Sequence, residues 1–345
     1  MKAPEYLWKQ VAGELMKRIQ DKNLENGDPF PSLREVCRKY GVSLITAKRI
    51  FMELERAGYI WTMPGKGTFI ASPRESLAIN LIIPERISFE RHDINISFLL
   101  TLIRGITESA AKAGVRLHTY TSLDFVRDIK NQGLILLNYS WLEREKLDQA
   151  AKNNYVVLYL HSPDKMYGTI CLDAQKGMYM VTKHLLSLGH RRIGFISGLI
   201  TNPWQTPRFE GYLKALRSAG IKNDWRLIKE LPSPDQDGIN SAMRELLAVP
   251  EPPTAVAASN DTRALLVLEY CRNHGLKVPR DFAVAGFDNI PEAELSNPSL
   301  TTADAHYYRV GQCAVEQVIN LARNKKSAKK DIIVKPALIK RDSTG

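Results

Sequence analysis

Two sets of residues have types and spacings suited to recognition rather than to bond-making. The first is Arg34, Ser43, Thr46, Lys48, Arg49 and Lys66. An arginine fork can bind guanine O6 and N7 together. A serine at a helix start can offer its hydroxyl or backbone N–H to a phosphate. Lys66 lies between Gly65 and Gly67, where backbone can come close to a duplex. The second set is Phe98, Arg208 and Asp261. Aromatic faces suit the C–H surfaces of a sugar, and planar charged groups suit its hydroxyls. Plainer roles remain open for each: a core aromatic for Phe98, a surface ion pair for Arg208, a helix N-cap for Asp261. Arg38, Lys39 and Arg56 read as a solvated face. Cys37, Cys171, Cys271 and Cys313 are far apart and form no CxxC or Cys/His spacing. No nucleophile–base pair stands out, so neither an enzyme, a metal site nor a cofactor is expected.

The elements that must position the first set follow from period and punctuation. Residues 6–22 carry a stripe of Leu7, Val11, Leu15 and Ile19, ended by Gly27-Asp28-Pro29. Ser32 followed by Glu35 has capping-box spacing, and Gly41 closes the short helix between them. A second start at Ser43 leads a helix with Ala47, Ile50, Phe51 and Leu54 on one face, ending at Gly58. Tyr59–Met63 and Thr68–Ile70 flank the turn Pro64-Gly65-Lys66-Gly67, which predicts a hairpin. Two helices on a tight turn followed by a hairpin form a winged helix-turn-helix. It is assigned to residues 1–71, with a linker at 72–76.

From residue 77 to 345 the pattern changes. Apolar runs at 78–84, 133–137, 156–160, 193–196, 255–258 and 283–286 alternate with helical stretches at 98–113, 175–188, 208–219, 238–248, 261–274 and 307–323. This predicts an α/β class with parallel sheets and, at that length, two lobes. Phe98, Arg208 and Asp261 then fall near strand C-terminal ends, where such folds bind ligands.

The 345 residues carry a formal net charge of +11, with 12 Lys/Arg against 8 Asp/Glu in the first 72. That favours a polyanionic partner. The N-terminus is not a signal peptide, and no run of about 18 apolar residues could span a bilayer. A cytoplasmic protein without a membrane partner is expected.

The runs Gly27-Asp28-Pro29-Phe30-Pro31-Ser32-Leu33-Arg34-Glu35-Val36, Gly41-Val42-Ser43 and Gly65-Lys66-Gly67-Thr68-Phe69-Ile70 resemble the GntR-type winged helix. The resemblance implies that Ser32, Arg34, Ser43, Thr46, Lys48, Lys66 and Gly67 contact DNA. Arg49 joins them from its place on the second helix. The chain departs from the family at Leu44, where an arginine is usual, so one common contact is missing.

Residues 77–344 resemble the sensor of LacI/GalR regulators. The carriers are Leu172-Asp173, Gly177, His184-Leu185, Gly189–Gly198, Arg208–Tyr212, Asn260–Ala264, Val278-Pro279, Gly286-Phe287-Asp288, Pro298–Thr302 and Ile339–Thr344. The resemblance implies the type I fold of periplasmic sugar-binding proteins, two lobes hinged around a ligand. Arg208 and Asp261 match effector-binding positions, Phe98 an aromatic one, and Asp173 a structural helix cap. His161-Ser162 and Ala305 depart from the family, and Trp204 offers an extra stacking surface, so His161 and Trp204 join the effector set. The loop Glu85–Asn95 is a further contributor. Head and sensor together resemble regulators of the arabinose-repressor type.

The function expected is a repressor that binds an operator as a homodimer and is controlled by a small carbohydrate. A co-repressor of another class would use the same parts. A transport solute-binding protein would need an export signal and no head. An aminotransferase-like fusion would need a longer second domain and a Schiff-base lysine. His190 precedes a strand and reads as structural.

Overall fold

Ser32 and Gly41 bracket their helix as their chemistry dictates. In a computed structural model of the chain, Ser32 caps Leu33–Tyr40, with the Ser32 hydroxyl and Glu35 carboxylate closing the reciprocal box. Gly41 takes φ 60°, the left-handed turn. The structure describes residues 7–21, 27–56, 59–63, 67–70, 77–83, 96–126, 130, 132–137, 144–164, 166–323 and 331–345. Lys66, the linker 72–76 and the loop 85–95 lie outside them. Chain contacts divide the molecule after Ala78 into two units.

The head runs α1 (Leu7–Asp21), β1 (Pro29–Phe30), α2 (Leu33–Tyr40), α3 (Leu44–Arg56), β2 (Ile60–Met63) and β3 (Gly67–Ile70). Val11, Leu15 and Ile19 of α1 pack with Val36 and with Ala47, Ile50, Phe51 and Leu54 of α3. Leu7, expected in the same stripe, is instead exposed, because it opens the helix beyond the packed turns. The break anticipated at Gly27-Asp28-Pro29 runs into β1, which pairs antiparallel with β3. Two residues are too few to show alternation. β2 and β3 form the hairpin, Ile60 opposite Ile70.

The second unit holds two sheets. The first comes from β4 (Ala78–Ile82), α4 (Ile96–Lys112), β5 (Arg116–Tyr120), β6 (Gly133–Leu137), α5 (Arg144–Ala151), β7 (Tyr155–Leu160) and β8 (Gly168–Leu172). The chain then crosses into α6 (Ala174–Ser187), β9 (Ile193–Ser197), α7 (Thr206–Ser218), β10 (Ile228–Glu230), α8 (Gln236–Leu247), β11 (Ala255–Ala258), α9 (Asp261–Asn273), β12 (Ala283–Asp288), α10 (Pro291–Leu295) and β13 (Thr301–Asp304). It returns with α11 (Tyr307–Arg323) and β14 (Ile332–Val334) and crosses again to β15 (Ala337–Ile339). The sheet orders are β14-β8-β7-β6-β4-β5 and β10-β9-β11-β12-β13-β15. The described pairings are parallel except β13 with β15. In each sheet the order reverses beside the first strand, at β4/β6 and β9/β11. Such reversals open crevices at strand C-terminal ends.

The inner strands β4, β6, β9 and β11 are buried on both faces, which explains their unbroken apolar runs. Asp173 caps α6, its carboxylate accepting from the Lys176 N–H at 3.0 Å. His190 bonds Thr254 at 2.8 Å beside the start of β9, far in the strand from its C-terminal end.

Candidate effector pocket and DNA-binding face

In the sensor unit, the end of β9 leads through Trp204 into α7, which carries Arg208 inward. Arg208 is 7% exposed. Its guanidinium lies over the Phe287 ring at 4.3 Å and donates to the Ser259 carbonyl at 2.9 Å and to Asp288 Oδ1 at 3.1 Å. The Tyr307 hydroxyl donates to the same Asp288 oxygen at 2.7 Å. Burial works against the Arg208 charge, but Asp288, Tyr307 and Tyr159 outweigh it and hold the group protonated. Burial pushes the Asp288 carboxyl up, against the pull of Arg208. Asp288 and Asn289 take φ 124° and 58°, conformations costly for non-glycine residues and common at ligand clamps. Asn289 is held there by its amide bonds to Asp304 and from Arg341.

Aromatic rings wall this cluster. Phe98 packs on Tyr307 with centroids 4.8 Å apart, Tyr159 lies 5.2 Å from Trp204, and His161 meets Trp204 edge-on at 5.8 Å. Burial lowers the His161 pKa, which favours a neutral imidazole. Tyr159 and Tyr307 belong to the first lobe, while Trp204, Arg208 and Asp288 belong to the second. The cluster therefore spans the crevice between lobes. Arg208 Nε and Ser259 Oγ are buried without a hydrogen-bond partner. A groove of about 590 Å³ lined by Asp148, Asn154 and Tyr167 lies by the opposite, N-terminal end of β7 and shares no residue with the cluster.

Four of the five anticipated effector residues, Phe98, His161, Trp204 and Arg208, thus come together. Asp261 stands apart from them. It is 0% exposed, and its carboxylate is taken by the Thr302 hydroxyl at 2.6 Å and the Ile290 N–H at 3.0 Å. A Cβ on Gly286 would stand 2.2 Å from its Oδ1, so the carboxylate packs directly against the backbone of β12. Nor is it the N-cap of α9, a role taken by Asn260. The carboxylate that faces Arg208 is Asp288. Its signal was present in the sequence, as the acid closing the apolar run of β12, but Asn260-Asp261 follows a strand in the same way. Tyr159 and Tyr307 had no sequence signal beyond their place at strand and helix ends.

In the head, Ser32 donates its N–H to Glu35 at 2.7 Å, and these bonds hold the Glu35 carboxylate below its usual range. Ser43 Oγ accepts from the Thr46 N–H at 3.2 Å and bonds the Thr46 hydroxyl at 2.9 Å, capping α3. Arg34 on α2 and Lys48 on α3 are exposed. Arg49 sits over the Trp8 ring at 4.4 Å, so its guanidinium is engaged with α1. Gly67 opens β3 at φ 116°.

Residues 7–70 match the family model described as bacterial regulatory proteins, gntR family, and residues 182–344 match the periplasmic binding protein-like domain. The HTH-type transcriptional repressor CytR of Escherichia coli strain K12 is 30% identical, over 79% of this chain and 80% of its own. The arabinose metabolism transcriptional repressor of Geobacillus stearothermophilus is 28% identical, over 99% of this chain and 98% of its own. A crystal structure of a transcriptional regulator LacI from Bacillus cereus subsp. cytotoxis superposes with a TM-score of 0.67 at 26% identity, covering 78% of this chain and 98% of that one. These relatives are transcription regulators, and no helix among the described residues is long and apolar enough to cross a membrane.

Proposed function

The chain belongs to the LacI-type transcription repressors and begins with a gntR-type DNA-binding region, and from that premise we propose that it represses transcription as a homodimer whose grip on an operator is set by a carbohydrate held around Arg208 and Asp288. The observation that carries the ligand half is the buried Arg208–Asp288–Tyr307 cluster, walled by aromatic rings and placed at the strand ends of both lobes. A sugar presents hydroxyls to an ion pair and C–H faces to rings. The unpartnered Arg208 Nε and Ser259 Oγ offer further bonds to such hydroxyls. Arabinose, named by one relative, is the first sugar to try.

A ligand shifts operator affinity only by preferring one lobe arrangement. Tyr307 bonds Asp288 and Tyr159 meets Trp204 across the lobes, so ligand inserted among them biases closure. Release from DNA on binding is the sign proposed. In the head, Arg34, Ser43, Thr46 and Lys48 face the duplex, the wing residues Lys66 and Gly67 add contacts of their own, and an operator-binding repressor works in the cytoplasm.

A thermal-shift screen of sugars tests the pocket. A sugar should raise the melting temperature of the wild type and not of Arg208→Ala. Equal shifts in both would reject the assignment. A gel shift with the operator tests the head: Arg34→Ala and Lys48→Ala should each weaken binding while the fold persists.

A further inference from the structure

The first turn of α3 is built unusually for a surface meant for DNA. Ser43 caps it, yet the next two residues are Leu44 and Ile45, 52% and 82% exposed, and Met52 two turns on is 69% exposed. At about 100° per residue, Leu44, Ile45, Lys48 and Met52 share one arc, beside the arc of the buried Ala47, Ile50, Phe51 and Leu54. Single exposed apolar side chains are ordinary, but several on one arc mark a contact surface. The surroundings are cationic: Arg34, Arg38, Lys39 and Lys48 are all exposed on α2 and α3, and Glu35 of the same helix is tied to Ser32. Basic groups around an apolar centre match a duplex, whose phosphates flank a groove floor that carries one apolar feature, the thymine 5-methyl.

We infer that Leu44 and Ile45 read thymine methyl groups in the major groove, so that A·T pairs stand in the operator opposite the first turn of α3. This rests on the reading of α2 and α3 as the DNA-binding face. In a helix-turn-helix the N-terminal residues of the second helix meet base edges. Neither side chain can donate or accept a hydrogen bond, which leaves methyl packing as their means of discrimination. Specificity by hydrogen bonding then falls to Arg34 and Thr46.

The full-length protein is used to select binding sites from a random duplex pool. The selected site should hold thymines in each half at the positions facing α3. Replacing each of those thymines with deoxyuridine removes only the methyl. Wild type should bind the deoxyuridine duplex about fourfold more weakly for each methyl lost. Leu44→Ala and Ile45→Ala, both at exposed positions that leave the fold intact, should each lose this discrimination at one position. Equal affinity of the wild type for both duplexes overturns the inference while leaving the DNA-binding reading standing. So does an unchanged thymine-to-deoxyuridine ratio in both alanine variants, which together with loss of the dimer would assign the patch to a protein contact. Failure to select any site overturns the inference and the DNA-binding reading together.

Discussion

Asp261 and Asp288 are both acids that end an apolar strand run or follow it, and both are buried. What separates them is their partners. Asp261 accepts from a hydroxyl and a backbone N–H of its own lobe, which anchors the β12–α10 junction. Asp288 faces Arg208 and, across the crevice, Tyr307. Asp288→Asn should therefore abolish the thermal shift given by a bound sugar and also cost about 3 kcal/mol or more of stability, since Arg208 is left buried without its carboxylate. Denaturant melts with and without sugar separate the two effects. Asp261 should show itself through pH instead. Burial, and then Asp288, push its pKa up to about 7, whereas an unfolded aspartate titrates near pH ~4. Between these values the folded state keeps a proton that the unfolded state has lost. Stability from this group is therefore greatest at the acid end of that window and falls as pH rises through it. Melting temperatures of the wild type should fall, relative to Asp261→Asn, from pH 4.5 to 7.5. A constant difference would contradict the shift.

At the scale of elements, helix pairs in both lobes approach through glycine. A Cβ on Gly105 of α4 would lie 2.2 Å from the Tyr308 carbonyl oxygen of α11, and one on Gly311 2.4 Å from that of Leu102. Gly211 of α7 stands the same way against Gln175 of α6, at 2.2 Å. The contact atoms are backbone, so they cannot rotate aside. Gly211→Ala should cost about 1–3 kcal/mol by forcing α6 and α7 apart, and because α7 carries Arg208, sugar binding should weaken with it. An unchanged chemical denaturation midpoint would refute the close approach. In the head, Ser43→Ala should remove the α3 cap and cost about 1 kcal/mol, seen as a lower melting temperature. Caps and core faces of α2 and α3 were legible because they depend on neighbours within one or two turns. β1 was not, since its only definition is its pairing with β3.

For the whole molecule, the proposed pair of heads on one duplex should make binding steeply dependent on salt, because each neutralised phosphate releases counterions. Lys48→Ala in both protomers should flatten the slope of log affinity against log salt by about 0.9 for each phosphate contact removed. A parallel line displaced to lower affinity would place Lys48 on a base edge instead. Coupling to the sensor should appear as a sugar-induced change in operator affinity that Arg208→Ala removes, while affinity without sugar stays near that of the wild type.

The sequence alone determined the winged helix, the alternating α/β plan and most of the residues that gather around Arg208. Period, caps and glycine turns are local, and the α/β alternation admits few topologies. The tertiary structure decided which acid faces Arg208. Arg208 and Asp288 are 80 residues apart in the chain, and they meet only because the order β9-β11-β12 carries both strand ends to one crevice. It also decided that Arg49 is turned to Trp8 and that Leu44 and Ile45 face outward. Exposure depends on which surface the rest of the fold leaves uncovered, and no spacing along the chain encodes it.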